Sequence, residues 1–318
     1  MKVGLIGGVK SSALALRKLC DSDLDIIEVF GYRPKDPELV SGYYDLEPIC
    51  LENSINFTPF IKINDFSDKI QSLNLDYLFV VGISQLVCEA IINAPKMGAI
   101  GFHPTKLPQG RGRAPVAWLV HEVMEGAATF FMLESIADAG SIVSQQCFKV
   151  TFEDTAKTVE NKIYNAMDSA LDSLLAQIAN GVLVSVEQDN SIATEYGMRK
   201  PDDGMIDWSY SAYAIDRLIK AASNPHPGAF TYCGLERINI KSCRLEQDLQ
   251  IKGVQGRVLK ITKNEALVQT GEGLIWILIG SDFHGIKVGS LLGYKVDLEI
   301  YELKEQVAEL KKLVRKLL

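Results

Sequence analysis

Histidine is scarce in this chain, cysteine is unpaired, long apolar runs are missing and positive charge is in deficit. Each shortage excludes something. Four histidines occur in 318 residues, none at metal-ligand spacing, so no resident metal is expected; His121, His226 and His284 read as structural or exposed. Cys20, Cys50, Cys88, Cys147, Cys233 and Cys243 are scattered without a Cys-x-x-Cys pair. They read as reduced, mostly buried thiols rather than a disulfide framework. The apolar run at the start, MKVGLIGG, is too short for a membrane span and lacks a small-residue cleavage site, so a cytoplasmic protein is expected. A net charge of −7 repels phosphate backbones and disfavours a nucleic-acid partner.

What remains is an ordinary globular balance, 47% hydrophobic and 23% charged, enough for a sizeable core in one large domain or two ordinary ones. MKVGLIGG reads as a buried strand ending in a glycine turn, and KSSALALRKLC as a helix with Ser11 or Ser12 as N-cap. DIIEVFGY, FTPFIKI, DYLFVVGI and MGAIGFH read as further strands, separated by helical segments around YYDLEPICLENS and FSDKIQSLNL. This alternation predicts an α/β fold, a doubly wound, mostly parallel sheet. After a helix at APVAWLVHEVMEG come two strand-like runs, AATFFMLES and GSIVSQQCFKV. A long helix follows, capped by Thr155 and stopped at Gly181.

The polar, aperiodic stretch from Val184 reads as a linker. Beyond a further helix, short strands punctuated by glycine suggest a small β-barrel or sandwich. The expected division is 1–185, a linker over 186–204, a β-rich domain over 205–297 and a C-terminal helix over 298–318. In that helix Ile300, Leu303, Val307, Leu310, Val314 and Leu317 recur at alternating three and four residues. The pattern reads either as a coiled-coil seam joining two copies or as the apolar face of a helix packed on its own domain.

Candidate chemistry concentrates in GAIGFHPTKLPQGRGRAPVAW, residues 98 to 118. Glycines and prolines argue against regular structure after Phe102. The segment then leaves the C-terminal edge of a strand, where ligands bind in open α/β sheets. His103 there suits a general base near neutral pH, or is a surface histidine on a capped strand. Downstream, ESIADAGSI holds Asp138 just before a strand, either a turn aspartate or a carboxylate that orients an imidazole.

Taken jointly, FHPTKLPQGRGRAPVAW and ADAGSIVSQQ resemble the formyltransferases that use 10-formyltetrahydrofolate. His103, Leu107, Pro108, Arg111, Gly112, Pro115, Asp138 and Gly140 match the family pattern in order. The segment DDGMIDWSYSAYAIDRLIKAASNPHPGAF is similar to the start of the open-barrel C-terminal domain of the two-domain members. The resemblance implies that an amine attacks the formyl carbon of the folate, with His103 and Asp138 managing the proton. It also implies an Asn two residues before the His, where this chain has Gly101. Three readings follow: a donor from elsewhere, such as backbone exposed by Gly101; a pocket enlarged for a bulkier acyl group; or altered chemistry. Gly101 also reads simply as a strand-end glycine allowing close backbone approach.

By the same resemblance, Gly82, Ser84, Gln85, Leu86 and Val87 line the folate pocket on one side, with Glu134 and Ala137 closing the other. For the acceptor, Lys10, Ser11 and Ser12 stand at a helix N-terminus that suits phosphate. Arg111 and Arg113 are further phosphate partners, Arg111 reading equally as a loop-bracing residue. The stretch GYRPKDPELVSGYYDL is not net basic, unlike the tRNA-binding loop of some members. The implied reaction is formyl transfer to an amine on a small acceptor, an amino sugar of a nucleotide sugar in the first instance. Alternatives are hydrolysis of an N-formyl or N-acyl group, methionyl-tRNA formylation, and a non-catalytic folate- or sugar-binding role.

Overall fold

A computed structural model describes residues 1–279 and 285–317; His284 therefore lies outside the described residues. The chain divides into two compact units, Met1–Lys200 with Asn224–His226, and Pro201–Ser223 with Pro227–Leu318.

The first unit runs β1 (Lys2–Gly7), α1 (Lys10–Cys20), β2 (Asp25–Tyr32), α2 (Glu47–Glu52), β3 (Asn56–Phe60), α3 (Ser67–Ser72), β4 (Tyr77–Val80), α4 (Glu89–Ile92) and β5 (Gly98–Thr105). It continues with β6 (Arg111–Gly112), α5 (Pro115–Glu122), β7 (Gly126–Met132), β8 (Ile142–Phe148), α6 (Ala156–Ala179) and β9 (Glu195–Tyr196). Seven strands form one sheet in the order β3-β2-β1-β4-β5-β7-β8. The first five are parallel, and β7 and β8 are antiparallel additions. The expected doubly wound, mostly parallel α/β sheet is present.

Two apolar layers cover it. Phe79 and Val81 pack with Leu16 and Leu19 of α1 and Met167 and Leu171 of α6. Leu78 and Val80 pack on the other face with Phe60, Ile70 and Ile91. Alternate residues of one strand thus serve opposite cores, which is why DYLFVVGI reads as an unbroken apolar run.

Two local expectations change. The cap of α1 is Val9, not Ser11 or Ser12. Ser12 sits inside the first turn, where its hydroxyl accepts from the N–H of Gly8 (2.9 Å) and Val9 (3.1 Å) and donates to the Val81 carbonyl (2.6 Å). Regular structure also persists beyond Phe102: β5 reaches Thr105, paired with β7 across a register shift between His103 and Thr105. Pro104 falls in that shift, where the ladder does not need its missing N–H. Thr155 caps α6 as expected, and Gly181 follows its end with φ +69°.

Residues 186–200, expected as a linker, pack within the first unit. The second unit holds α7 (Ala212–Ala222), β10 (Ala229–Cys233), β11 (Glu236–Ile240), β12 (Ser242–Glu246), β13 (Val258–Ile261), β14 (Glu265–Gln269), β15 (Leu274–Leu278) and α8 (Val296–Leu317). Its strands form an antiparallel hairpin, β10–β11, and an antiparallel sheet ordered β12-β15-β14-β13. Ile215 and Ile219 of α7 share a core with Val268, Ile275 and Ile277. Among the described residues, no helix is long and apolar enough to cross a membrane.

Candidate active site

The sheet register brings the loops after β1 and β4 to one edge. Ile6 lies opposite Val80, Val80 opposite Gly101, and Gly101 opposite Phe131. The turns that leave β1 and β4 therefore start at about the same level along β5, whereas antiparallel β7 ends in the opposite direction, beside Ile100. His103 stands two residues beyond that level, near the C-terminal end of β5, and the loop after β7 returns to it through Asp138.

His103 is buried. Its Nε2 lies 2.9 Å from the Gly110 carbonyl oxygen. A carbonyl only accepts, so Nε2 carries a proton and donates it. In the neutral ring Nδ1 then keeps its lone pair, and this atom faces Asp138 Oδ1 at 3.7 Å. That separation is longer than a hydrogen bond. A proton taken up at Nδ1 would give an imidazolium facing a carboxylate.

Asp138 is held at its side chain and at its backbone. Its Oδ2 accepts from the Gly112 N–H at 3.0 Å. Its backbone has φ +56°, an uncommon conformation for a side-chain-bearing residue. Its carbonyl accepts from Gln188 Nε2 at 2.8 Å, and the same amide nitrogen donates to the Gly140 carbonyl at 2.7 Å. Gln188 Oε1 in turn accepts from Arg111 Nε (3.2 Å) and Nη2 (2.8 Å), and Asn190 Oδ1 takes a further bond from Arg111 at 2.8 Å. Arg111 is thus engaged in bracing the loops. Arg113 is exposed, and its guanidinium makes no ion pair among the described residues.

The 186–200 segment completes this wall. Thr194 Oγ1 accepts from Gly110 N–H at 2.9 Å, and β9 pairs in parallel with β6. Gly112, with φ +101°, runs so close to the Tyr196 carbonyl that a Cβ would collide with it. Trp118 donates from Nε1 to the Gly197 carbonyl at 2.9 Å and lies 5.0 Å from the Tyr196 ring. Gln188, Asn190 and Thr194 escape a sequence reading because they sit in an aperiodic polar stretch, indistinguishable there from solvated linker.

Gly101 and His103 share a face of β5, while Phe102 points the other way onto Phe130 at 5.1 Å. A Cβ at Gly101 would lie 2.6 Å from Leu133 Cδ2 and 3.0 Å from Phe131 Cζ. The space beside residue 101 is filled by apolar side chains, so no enlarged pocket opens at this position. Thr105, also missed from sequence, is almost fully buried, and its hydroxyl has no hydrogen-bond partner among the described residues.

The loop after β4 is braced from behind. Gln85 Oε1 accepts from Ile63 N–H (3.0 Å), and its Nε2 donates to the Ile61 carbonyl (2.6 Å). Asn64 bonds the Leu86 carbonyl and the Cys88 N–H. Gly82 has φ +67° and packs against Val9, Ser11 and Ser12, joining this loop to the β1–α1 turn. Ser84 is exposed, Val87 is half-buried and Leu86 is 77% exposed. Across β5, Glu134 and Ala137 are exposed, and Ile136 between them is 67% exposed.

At the first turn, the N–H groups of Gly8 and Val9 are taken by Ser12, and that of Lys10 donates to the Gly42 carbonyl. Ser11 and Ser12 are buried. The Lys10 side chain is exposed and lines a shallow groove with Leu14, Arg17 and Tyr44 on the outside of α1. The other described histidines stand apart from His103. His121 pairs with Glu122 at 2.8 Å. Burial, reinforced by Arg199, lowers the pKa of His226.

A doubly wound sheet with buried His103 facing half-buried Asp138 at its C-terminal edge defines an α/β enzyme. Comparison with known families narrows the class. The family model for formyl transferase matches residues 44–175, and that for the formyl transferase C-terminal domain matches residues 199–283. Together they span more than half of the chain, which belongs to the formyltransferase family, enzymes that transfer formyl groups.

Solved structures share the fold. One is WlaRD, a sugar 3N-formyl transferase determined with dTDP and 5-N-formyl-THF, at 16% identity and TM-score 0.67, covering 89% of this chain and 99% of that one. Another is an N-formyltransferase from Helicobacter canadensis in complex with folinic acid and dTDP-3-aminofucose, at 14% identity and TM-score 0.66, covering 88% and 99%. A methionyl-tRNA formyltransferase from Clostridium thermocellum is also similar, at 17% identity and TM-score 0.55, covering 77% and 94%.

Proposed function

We propose that this enzyme moves the formyl group of 10-formyltetrahydrofolate to a primary amine on a small acceptor, an amino sugar carried by a nucleoside diphosphate. The observation that carries the reading is the His103–Asp138 pair between two loops with exposed apolar tips, Leu86 and Ile136. Those loops suit the flat ring system of a folate. The sugar formyltransferases that share the fold over nearly their whole length, crystallised with folates and dTDP or a dTDP-sugar, support both halves of the assignment.

In this reading the amine attacks the formyl carbon and a tetrahedral oxyanion forms. The nitrogen becomes cationic and loses a proton to Nδ1 of His103. Asp138 stabilises the resulting imidazolium. The proton then passes to the folate nitrogen as its bond to the formyl carbon breaks, releasing tetrahydrofolate and the N-formyl product. Gly101 offers no side-chain donor for the oxyanion, so stabilisation falls to backbone N–H groups at this edge or to other side chains. Arg113 and Lys10 are the cations assigned to acceptor phosphate.

A tRNA acceptor is disfavoured by charge. Arg33, in the stretch after β2, is already paired with Glu47 (2.6 Å) and Asp45 (3.3 Å). Turnover with 10-formyltetrahydrofolate and a panel of amines tests the reading. Tetrahydrofolate release should depend on a nucleotide-linked amino sugar and yield its formamide. Release without any amine would replace transfer by hydrolysis, formylation of methionyl-tRNA alone would replace the acceptor, and failure of reduced folates to bind would remove the reaction.

A further inference from the structure

We infer that α8 pairs with α8 of a second copy of this chain as a parallel, two-stranded coiled coil. The helix has 22 residues, which makes it about 33 Å long. From Ile300 to Lys316 every residue is exposed. Ile300, Leu303, Val307, Leu310 and Val314 are 44–59% exposed, so a continuous aliphatic stripe faces solvent. Most of a helix's stability in a protein comes from covering its amphipathic face.

The stripe itself indicates what covers it. In heptad terms Ile300, Val307 and Val314 occupy one seam position, and Leu303, Leu310 and Leu317 the other. A β-branched residue at the first and Leu at the second favours two parallel strands over higher orders. No polar residue interrupts either position. The remaining charges from Glu302 to Lys316, apart from Lys304 and Lys311, fall on the outer face.

The flanking charges select the orientation. In a parallel pair Glu299 of one copy lies beside Lys304 of the other, twice by symmetry, and Gln306 lies beside Lys311. An antiparallel pair centred on Val307 would instead set Lys304 of one copy beside Lys311 of the other, also twice. Attraction in the first arrangement and repulsion in the second point the same way as the seam composition.

The test uses the full-length protein. Light scattering at high micromolar concentration should give twice the 35.1 kDa chain mass. The double variant Val307→Glu/Leu310→Glu should halve that mass without shifting the thermal midpoint of the remaining fold, because both residues are exposed. Leu310→Cys should form a covalent dimer under mild oxidation, while Glu305→Cys on the outer face should not. A monomeric or trimeric parent protein, a double variant that stays dimeric, or a dimer in which Leu310→Cys fails to cross-link would each overturn the proposal.

Discussion

His103 divides its two ring nitrogens between separate partners. Nε2 donates to the Gly110 carbonyl at 2.9 Å, and Nδ1 faces Asp138 Oδ1 at 3.7 Å. The first contact fixes the tautomer and the second leaves a lone pair beside a carboxylate. Replacing the ring should therefore remove proton transfer while leaving the sheet intact. His103→Ala is expected to lower turnover by roughly a hundred- to ten-thousandfold with little change in folate affinity. Steady-state kinetics alongside folate binding check this, and a variant with near-parental turnover would refute the role.

Asp138→Asn separates charge from geometry. The amide oxygen can still accept from Gly112 N–H, so the loop should hold. The imidazolium loses its counter-charge, and turnover should fall by about tenfold or more, the equivalent of about 1.4 kcal/mol. Comparing circular dichroism with single-turnover rates distinguishes this outcome from a collapsed loop.

Gln188 positions Asp138 without approaching the reacting atoms in this arrangement. Its amide nitrogen bonds the carbonyls of Asp138 and Gly140, and its oxygen takes Arg111. Gln188→Leu should reduce turnover through a loosened Asp138 loop, more in kcat than in KM, with a thermal midpoint within a few degrees of the parent. Equal loss of kcat in Gln188→Leu and in a Gln188→Leu/Asp138→Asn double variant relative to Asp138→Asn alone would argue that the two residues act independently.

Gly101→Asn tests the space beside β5. Its Cβ would lie 2.6 Å from Leu133 Cδ2. The substitution should destabilise the protein by about 1–3 kcal/mol, and Leu133→Ala in the same chain should recover part of that loss. Chemical denaturation of the single and double variants measures both effects; a fully stable Gly101→Asn would show that Leu133 moves aside freely.

Acid should loosen α6 through Asp154. Burial alone would raise its pKa, but bonds from Lys162, Thr151 and Thr158 outweigh that and hold it at about 2. A depressed folded value means stability that is complete above the unfolded carboxylate pKa of about 3.9 and is lost as pH falls towards 2. The contribution is on the order of 2 kcal/mol. Asp154→Asn should cost about that much at neutral pH and flatten the acid limb between roughly pH 4 and pH 2. A parallel acid limb in parent and variant would assign the loss to other groups.

The sequence by itself determined the strands, the long capped helix and the two segments that bear His103 and Asp138. Apolar runs such as DYLFVVGI, turn glycines and the Thr155 cap are local signals, each set by a few neighbouring residues. Tertiary structure alone decided what those residues meet. Ser12 reads as a helix cap, yet its hydroxyl reaches Val81, which is distant in sequence. Gln188 reads as linker, yet it closes on Asp138 and Arg111. Gly101 leaves a space, and only the packing of Leu133 reveals that the space is taken. These contacts link residues far apart along the chain, and local periodicity carries no information about such pairs. The chain has to fold before a polar side chain in an irregular segment acquires its partner.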